Sequence, residues 1–318
     1  MAMREDRRRG AEHSEVAAER IAVVIPCFDE EAQVGSVVRS FRAALPDAEI
    51  VVVDNASRDA TAAVAREAGA RIVHESRAGK GNALLCGLAA VPEADFVVMV
   101  DGDGTYPASA APSLVAAARA GADLVVGTRL QEAAPGAFPA GHSFGNRLFI
   151  WIVRLLFGVR TGDLFSGYRV LSRRFLRATP LLATGFEIEA ELTLQAAMRG
   201  FTIAELPVAY RPRSSGGASK LATVRDGSRI LLAILTFFRD SRPLTCFGGL
   251  AAIFVGCATL FGSAVIAEFL ETGMVNRLPL AVLAAALFIL GALSLTCGML
   301  LSSINRRAAE LAALIAGR

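Results

Sequence analysis

Histidine and tryptophan are nearly missing from this sequence, with three His and one Trp in 318 residues. The histidines, His13, His74 and His142, are scattered. That argues against a histidine metal centre and against a Ser-His-Asp triad. The five cysteines, Cys27, Cys86, Cys246, Cys257 and Cys297, form no pair with metal-site spacing. They read as small apolar residues in a reducing compartment. A charge excess is lacking too: 33 Lys and Arg stand against 30 Asp and Glu, a formal net charge of +3, too small to suggest nucleic acid as a partner. The N-terminus has no apolar h-region, so no secretory signal is expected. Its first twenty residues balance five basic against five acidic, and residues 1–19 are read as a mobile leader. The Arg7–Arg9 run could touch anionic lipid, but a solvated tail is the simpler reading.

Charge is also missing in two long blocks. Neither Pro243–Ala267 nor Leu278–Ile304 contains a charged residue. Each exceeds the roughly 20 apolar residues that cross a bilayer as a helix. Both are rich in Gly, Ala, Ser and Thr, which let membrane helices approach closely. A pair of buried helices in a large soluble core is the alternative. Arg239 and Arg242 precede the first block, and Arg306 and Arg307 follow the second. The connector carries Glu268, Glu271 and Arg277. The basic flanks predict a hairpin at 243–304 with both ends cytoplasmic and a cytoplasmic tail at 305–318.

Upstream, short apolar runs alternate with helical periodicity. "RIAVVIPCF", "AEIVVVDNAS", "RIVHES", "ADFVVMVDGDG" and "DLVVGTR" read as strands. Between them lie stretches such as "EEAQVGSVVRSFRAAL", whose Val34, Val37, Val38, Phe41 and Leu45 have helical spacing. This is the pattern of an α/β domain with a mainly parallel sheet covered on both faces. The acidic clusters follow strands: Asp29 and Glu30, Asp54 to Asp59, Asp101 and Asp103. In an open α/β sheet, ligands bind at those carboxyl ends. Clustered negative charge there calls for a cation. Asp101 and Asp103 are i and i+2, so extended geometry would point them the same way. Such a pair offers hard oxygen ligands to Mg²⁺ or Mn²⁺. An Asx-type turn capping a helix would use the same Asp-Gly residues. "AGKGNA" is not a Walker A loop, because Gly81 follows Lys80 where a hydroxyl is needed.

The segments "IPCFDEE", "VVVDNASRDAT", "AGKGNAL" and "DGDGTYP", in this order, resemble inverting family-2 glycosyltransferases of the Rossmann-like GT-A fold. "GDLFSGYRVLSRR", "GFEIEAEL" and "YRPRSSGGASKLATVRDGSRIL" narrow the resemblance to polyprenyl-phosphate glycosyltransferases, the dolichol-phosphate mannose synthase-like group with two C-terminal membrane helices. The resemblance implies a catalytic domain over 20–220, a juxtamembrane amphipathic helix over 221–242, and a multi-pass protein of the cytoplasmic (inner) membrane with its catalytic domain facing the cytoplasm. It implies that Pro26, Phe28, Glu30 and Asp54 contact the nucleoside of a nucleotide-sugar donor and that Lys80 approaches that donor. Phe28 stands where the family usually has Tyr, Asp29 where it has Asn, and Asn55-Ala56 where it has Asp-Gly. Asp101 and Asp103 match the DxD metal site. Asp59 and Thr61 read as helix-start residues.

On the acceptor side the resemblance makes Arg147, Ser166 and Arg169 candidates to hold a lipid phosphate, a group that arginine binds with paired, charge-assisted bonds. It makes Arg213 and Lys220, in a Gly- and Ser-rich loop, a clamp on the donor diphosphate; a flexible linker would have the same composition. Glu187 and Glu189 match the family's "FExE" stretch and are read as shaping the site, with core or helix-start roles as the alternative. "HSFGNRLFIWIVRLLFGVR" suits an interfacial helix or an amphipathic core helix. The implied reaction is inverting transfer of a sugar from a UDP- or GDP-sugar to the phosphate of a polyprenyl phosphate, for cell-envelope glycan or glycoprotein assembly. Transfer to a hydroxyl acceptor is the nearest rival. Processive synthases of that kind carry QxxRW, and the single Trp151 lies in "FIWIV". An inactive membrane scaffold is a further alternative, and a homo-oligomer paired through the spans is left open.

Overall fold

The computed structural model describes residues 19–129, 142–211 and 223–316. The leader up to residue 18, Arg213, Lys220 and their loop lie outside the described residues. The chain divides into two compact units, Met1–Asp226 and Gly227–Arg318.

The first unit runs β1 (Ile21–Cys27), α1 (Glu31–Ala44), β2 (Glu49–Asp54), α2 (Thr61–Glu67), β3 (Arg71–His74), α3 (Lys80–Ala90), β4 (Phe96–Met99), α4 (Ala111–Arg119), β5 (Leu124–Thr128), α5 (His142–Phe157), β6 (Arg169–Ser172), α6 (Arg173–Ala178), α7 (Ile188–Met198) and β7 (Ile203–Pro207). Its strands form one sheet in the order β3-β2-β1-β4-β6-β5-β7. Only β6 runs antiparallel to its neighbours. Side chains alternate faces along a strand, and the core divides accordingly. Val23, Ile25, Val52 and Val98 pack on one face with Val34, Val38 and Phe41 of α1 and Leu114 of α4. Ala22, Val24, Val51, Val53 and Val97 pack on the other with Leu84 of α3, Phe175 of α6 and Ile188 and Leu192 of α7. The sheet is therefore covered on both sides, and polar groups collect at its rim. The expected α/β fold is present. The sequence reading assigned no secondary structure to β6, α6, α7 and β7, which complete the sheet and cover it.

The second unit holds most of α8 (Thr223–Ser241), then α9 (Pro243–Thr272) and α10 (Leu278–Ala316). Pro243 suits the first turn of α9 because its missing N–H would be unpaired there. Gly273, at φ 71°, ends it in the left-handed region. Among the described residues, α9 and α10 are the two helices long and apolar enough to cross a membrane. They pack through small residues of α10. A Cβ on Gly291 would fall 2.8 Å from Val255, and one on Gly298 would fall 2.9 Å from Phe247. Between them Ser294 donates to the Phe247 carbonyl at 3.0 Å. α10 runs on past the charge-free block to Ala316, so the segment after Ile304 is helical through that residue.

Candidate active site

Six of the seven strands send their carboxyl ends to one edge, and the loop before β6 returns to it. That edge gathers Phe28, Glu30, Asp54, Lys80, Asp101, Asp103, Arg129, Asp163 and Tyr210. β2 ends at Asp54, which is nearly buried. It accepts from Ser57 N at 3.2 Å and lies 3.1 Å from His74 Nδ1, at the end of the neighbouring β3. Asn55 extends this wall. Its amide donates to the carbonyls of Glu75 and Arg77 and accepts from Gly79 N. Those bonds fix the loop that starts α3. Pro26 lies within β1, Phe28 is 41% exposed just past it, and Glu30 directly precedes α1. Thr61 Oγ1 accepts from Glu30 N, and Asp59 accepts from Thr61 N and Glu31 N. Asp59 and Thr61 therefore tie the starts of α1 and α2 together, a helix-start role.

The DGDG stretch is not extended, contrary to expectation. β4 stops at Met99, and Asp101 to Gly104 form a turn with Gly104 at φ 74°. Asp103 is buried, and its Oδ1 accepts from Thr105 N at 3.1 Å and Oγ1 at 2.6 Å. Asp101 stays partly open. Its Oδ1 is 2.5 Å from Lys80 Nζ, which is also 2.5 Å from Glu189 Oε1 on α7. Burial pulls the Lys80 ammonium down, but Asp101 and Glu189 outweigh it and hold the pKa above the ordinary lysine range. Burial pushes Glu189 up, with Lys80 acting against that rise. The Asp101 carboxylate rests on the backbone of Gly167, where a Cβ would fall 2.4 Å from Oδ2. Gly167→Ala should displace that carboxylate and slow the reaction about tenfold or more, since a shift of about 1 Å can cost 10²-fold. Initial rates would show this, with a thermal melt as the folding control.

All three tyrosines of the chain cluster together, their rings tilted or edge-on. Tyr106 lies 5.4 Å from Tyr168 and 5.2 Å from Tyr210, ring centroid to centroid. Tyr106 Oη accepts from Gly167 N, which locks the seat of Asp101. Arg129, just after β5, forks onto buried Asp163 at 2.8 and 2.9 Å and lies over the Tyr210 ring. Burial raises the Asp163 pKa and the Arg129 guanidinium outweighs it, so the carboxyl stays below its usual range. Asn146 of α5 donates to the same carboxylate at 3.2 Å. Sequence reading missed Arg129 and Asp163. The signal available was a lone basic residue directly after an apolar strand.

The acceptor residues divide. Arg147 is exposed on α5. Ser166 and Arg169 are fully buried. Ser166 Oγ donates to the Gly127 carbonyl, and Arg169 spends its guanidinium on Ser166 O, Leu164 O and Thr193 Oγ1, each at 2.8 Å. Expected to hold a lipid phosphate, these two side chains are instead turned inward here, where they brace the loop that carries Gly167. α5 buries Asn146, Val153 and Phe157 and exposes Leu148, Trp151 and Leu155 beside Arg147 and Arg154.

Residues 22–178 match the family model for glycosyl transferase family 2. The glycosyltransferase AglJ of Haloferax volcanii is 31% identical over 249 residues, which cover 78% of this chain and 81% of that protein. This chain belongs to glycosyl transferase family 2. A dolichyl-phosphate hexose transferase of the same organism is 33% identical, covering 72% of this chain and 98% of its own length. Among solved structures, the glucosyl-3-phosphoglycerate synthase of Mycobacterium tuberculosis in complex with Mn²⁺, UDP and phosphoglyceric acid superimposes with a TM-score of 0.58 at 27% identity, covering 70% of this chain and 79% of that one. The family assignment makes this chain a sugar-transferring enzyme of GT-A fold that uses a nucleotide sugar. The acidic edge suits a hard divalent cation: an ammonium already stands against Asp101 and Glu189. Among the described residues, no group of three or more His, Cys, Asp or Glu is arranged around a metal position.

Proposed function

We propose that this enzyme transfers a sugar, with inversion, from a UDP- or GDP-sugar to the phosphate of a polyprenyl phosphate, at the cytoplasmic face of the inner membrane. The observation that carries the reading is the pairing, in one chain, of an acidic sheet edge in a family that uses nucleotide sugars with two helices fit to span a bilayer. A soluble acceptor would need no such anchor. The relative named a dolichyl-phosphate hexose transferase supports the same acceptor class.

In this reading Pro26, Phe28, Glu30 and Asp54 border the nucleoside, and Lys80 meets the diphosphate. Asp101 and Asp103 would hold Mg²⁺ or Mn²⁺, which when bound neutralises charge on the leaving diphosphate. Arg213 and Lys220 would close over that diphosphate, and Arg147 would reach the acceptor phosphate. The exposed Leu148, Trp151 and Leu155 of α5, edged by Arg147 and Arg154, suit an interfacial helix facing lipid headgroups. The domain limits proposed are a catalytic domain over 20–220, an amphipathic helix over 221–242 and a membrane hairpin over 243–304.

The chemistry agrees with a phosphate acceptor. A phosphate oxygen is already anionic near neutral pH and attacks the anomeric carbon without a strong base. A hydroxyl acceptor needs a group to take its proton. Asp101, Glu189 and Asp163 each already face a cationic side chain. The test is a screen of UDP-glucose, UDP-galactose and GDP-mannose against undecaprenyl and decaprenyl phosphate with purified full-length protein. Nucleotide release that requires a divalent cation and a polyprenyl phosphate, and yields a labelled lipid, is the expected result. Release driven as well by a neutral polyprenol or a glycan hydroxyl would overturn the acceptor assignment.

A further inference from the structure

We infer that Lys80 is a displaceable counter-cation that occupies Asp101 until a nucleoside diphosphate draws it away, so that divalent cation and diphosphate bind cooperatively through this one side chain. The inference rests on the proposed function only in taking a nucleoside diphosphate as the ligand. Lys80 opens α3, and its side chain is 11% exposed. Its Nζ lies at 2.5 Å from one carboxylate oxygen of Asp101 and from one of Glu189. The Phe186 ring centroid lies 5.8 Å from the same Nζ. The ammonium therefore has two unequal partners. Glu189 is 5% exposed and sits on α7, within the domain, whereas Asp101 is 26% exposed and sits on the turn at the rim. A solute cation can reach only the second.

A divalent ion arriving alone at Asp101 must break the Lys80 contact and then stand beside an ammonium that Glu189 keeps in place. Two positive centres a few ångströms apart, shielded from water, repel strongly. A diphosphate removes that repulsion, because its oxygens accept from the ammonium and ligate the ion together. Each ligand then helps the other, and by linkage the gain is reciprocal. α3 is held in register for this exchange. Gly79, at φ 136°, donates to Asn55 Oδ1, and Asn82 N donates to the Thr184 carbonyl. Gly81 packs so closely on Ala183 that a Cβ would fall 2.1 Å from its carbonyl oxygen. The backbone is pinned, so the exchange is confined to the lysine side chain.

The test measures Mn²⁺ binding by electron paramagnetic resonance on the full chain in detergent, with no nucleotide and with UDP or GDP. Wild-type protein should bind Mn²⁺ weakly alone and much more tightly with nucleotide. Lys80→Met should bind Mn²⁺ alone about tenfold or more tighter than wild type, and the enhancement by nucleotide should shrink by a similar factor. Because Lys80→Met leaves two carboxylates facing each other, Lys80→Met/Glu189→Gln is run beside it and should show the same rise. Mn²⁺ affinity in both variants equal to or below that of wild type would overturn the role of Lys80. That result, obtained while wild type still forms a lipid-linked sugar, leaves the proposed reaction standing. Coupled Mn²⁺ binding lost in the variants, in a protein that transfers to no polyprenyl phosphate, supports the inference and removes the acceptor assignment.

Discussion

Asp101→Asn is expected to slow sugar transfer by roughly 10²- to 10³-fold while leaving the fold nearly unchanged. The magnitude is that of removing one preorganised electrostatic contact to a developing charge. The substitution keeps the shape that rests on Gly167, so packing is preserved. It removes the charge that would ligate a divalent ion and leaves Lys80 on Glu189 alone. Because Asp101 is partly open to solvent, the stability cost is small beside the catalytic one. Asp103→Ala is a less clean probe, since the Asp103 carboxylate also holds Thr105 through two bonds. The measurement is kcat/KM at saturating Mn²⁺ together with a thermal melt. A loss of activity without a loss of melting temperature supports the assignment. Activity within a few-fold of wild type would remove Asp101 from the reaction.

The parts of this fold that were legible in the sequence are those encoded by local repetition. Continuous apolar runs such as "AVVI" and "VVMV" announce strands covered on both faces, and the Val34-Val37-Val38-Phe41 spacing announces α1. The charge-free blocks announce α9 and α10. What was not legible depends on contacts distant in sequence. β6 is four residues long and enters between β4 and β5 in the opposite direction; nothing in "RVLS" states that direction. The Lys80–Glu189 contact spans 109 residues and exists only because α3 and α7 cover the same face of the sheet. Arginine was the hardest residue type to assign. Arg129, Arg147 and Arg169 look alike as letters, yet one forks onto a buried carboxylate, one lies open on α5 and one is sealed inside. Their burial, which separates them, is a property of the packed domain.

Arg169→Met is expected to destabilise the domain by about 3–5 kcal/mol, lowering the melting temperature by roughly 10 °C or more. Arg169 is 0% exposed and takes no carboxylate partner at hydrogen-bond distance. Burial pushes its pKa below the usual arginine range, against the pull of Glu189 and Asp163. The domain keeps it because it ties three separate pieces. Two bonds hold the carbonyls of Leu164 and Ser166, and the third holds Thr193 on α7. Methionine fills a similar volume and leaves those carbonyls buried without donors, each worth about 1–3 kcal/mol. The loop they belong to carries Gly167, the seat of Asp101, so activity should fall together with stability and recover partly at low temperature. Arg169→Lys should be intermediate, because one ammonium cannot span the fork. A phosphate-binding arginine would behave in the opposite way, raising the KM for the lipid acceptor with the melting temperature unmoved. That pattern would show that Arg169 reaches the ligand after all and that the buried geometry is not the one the enzyme uses in turnover.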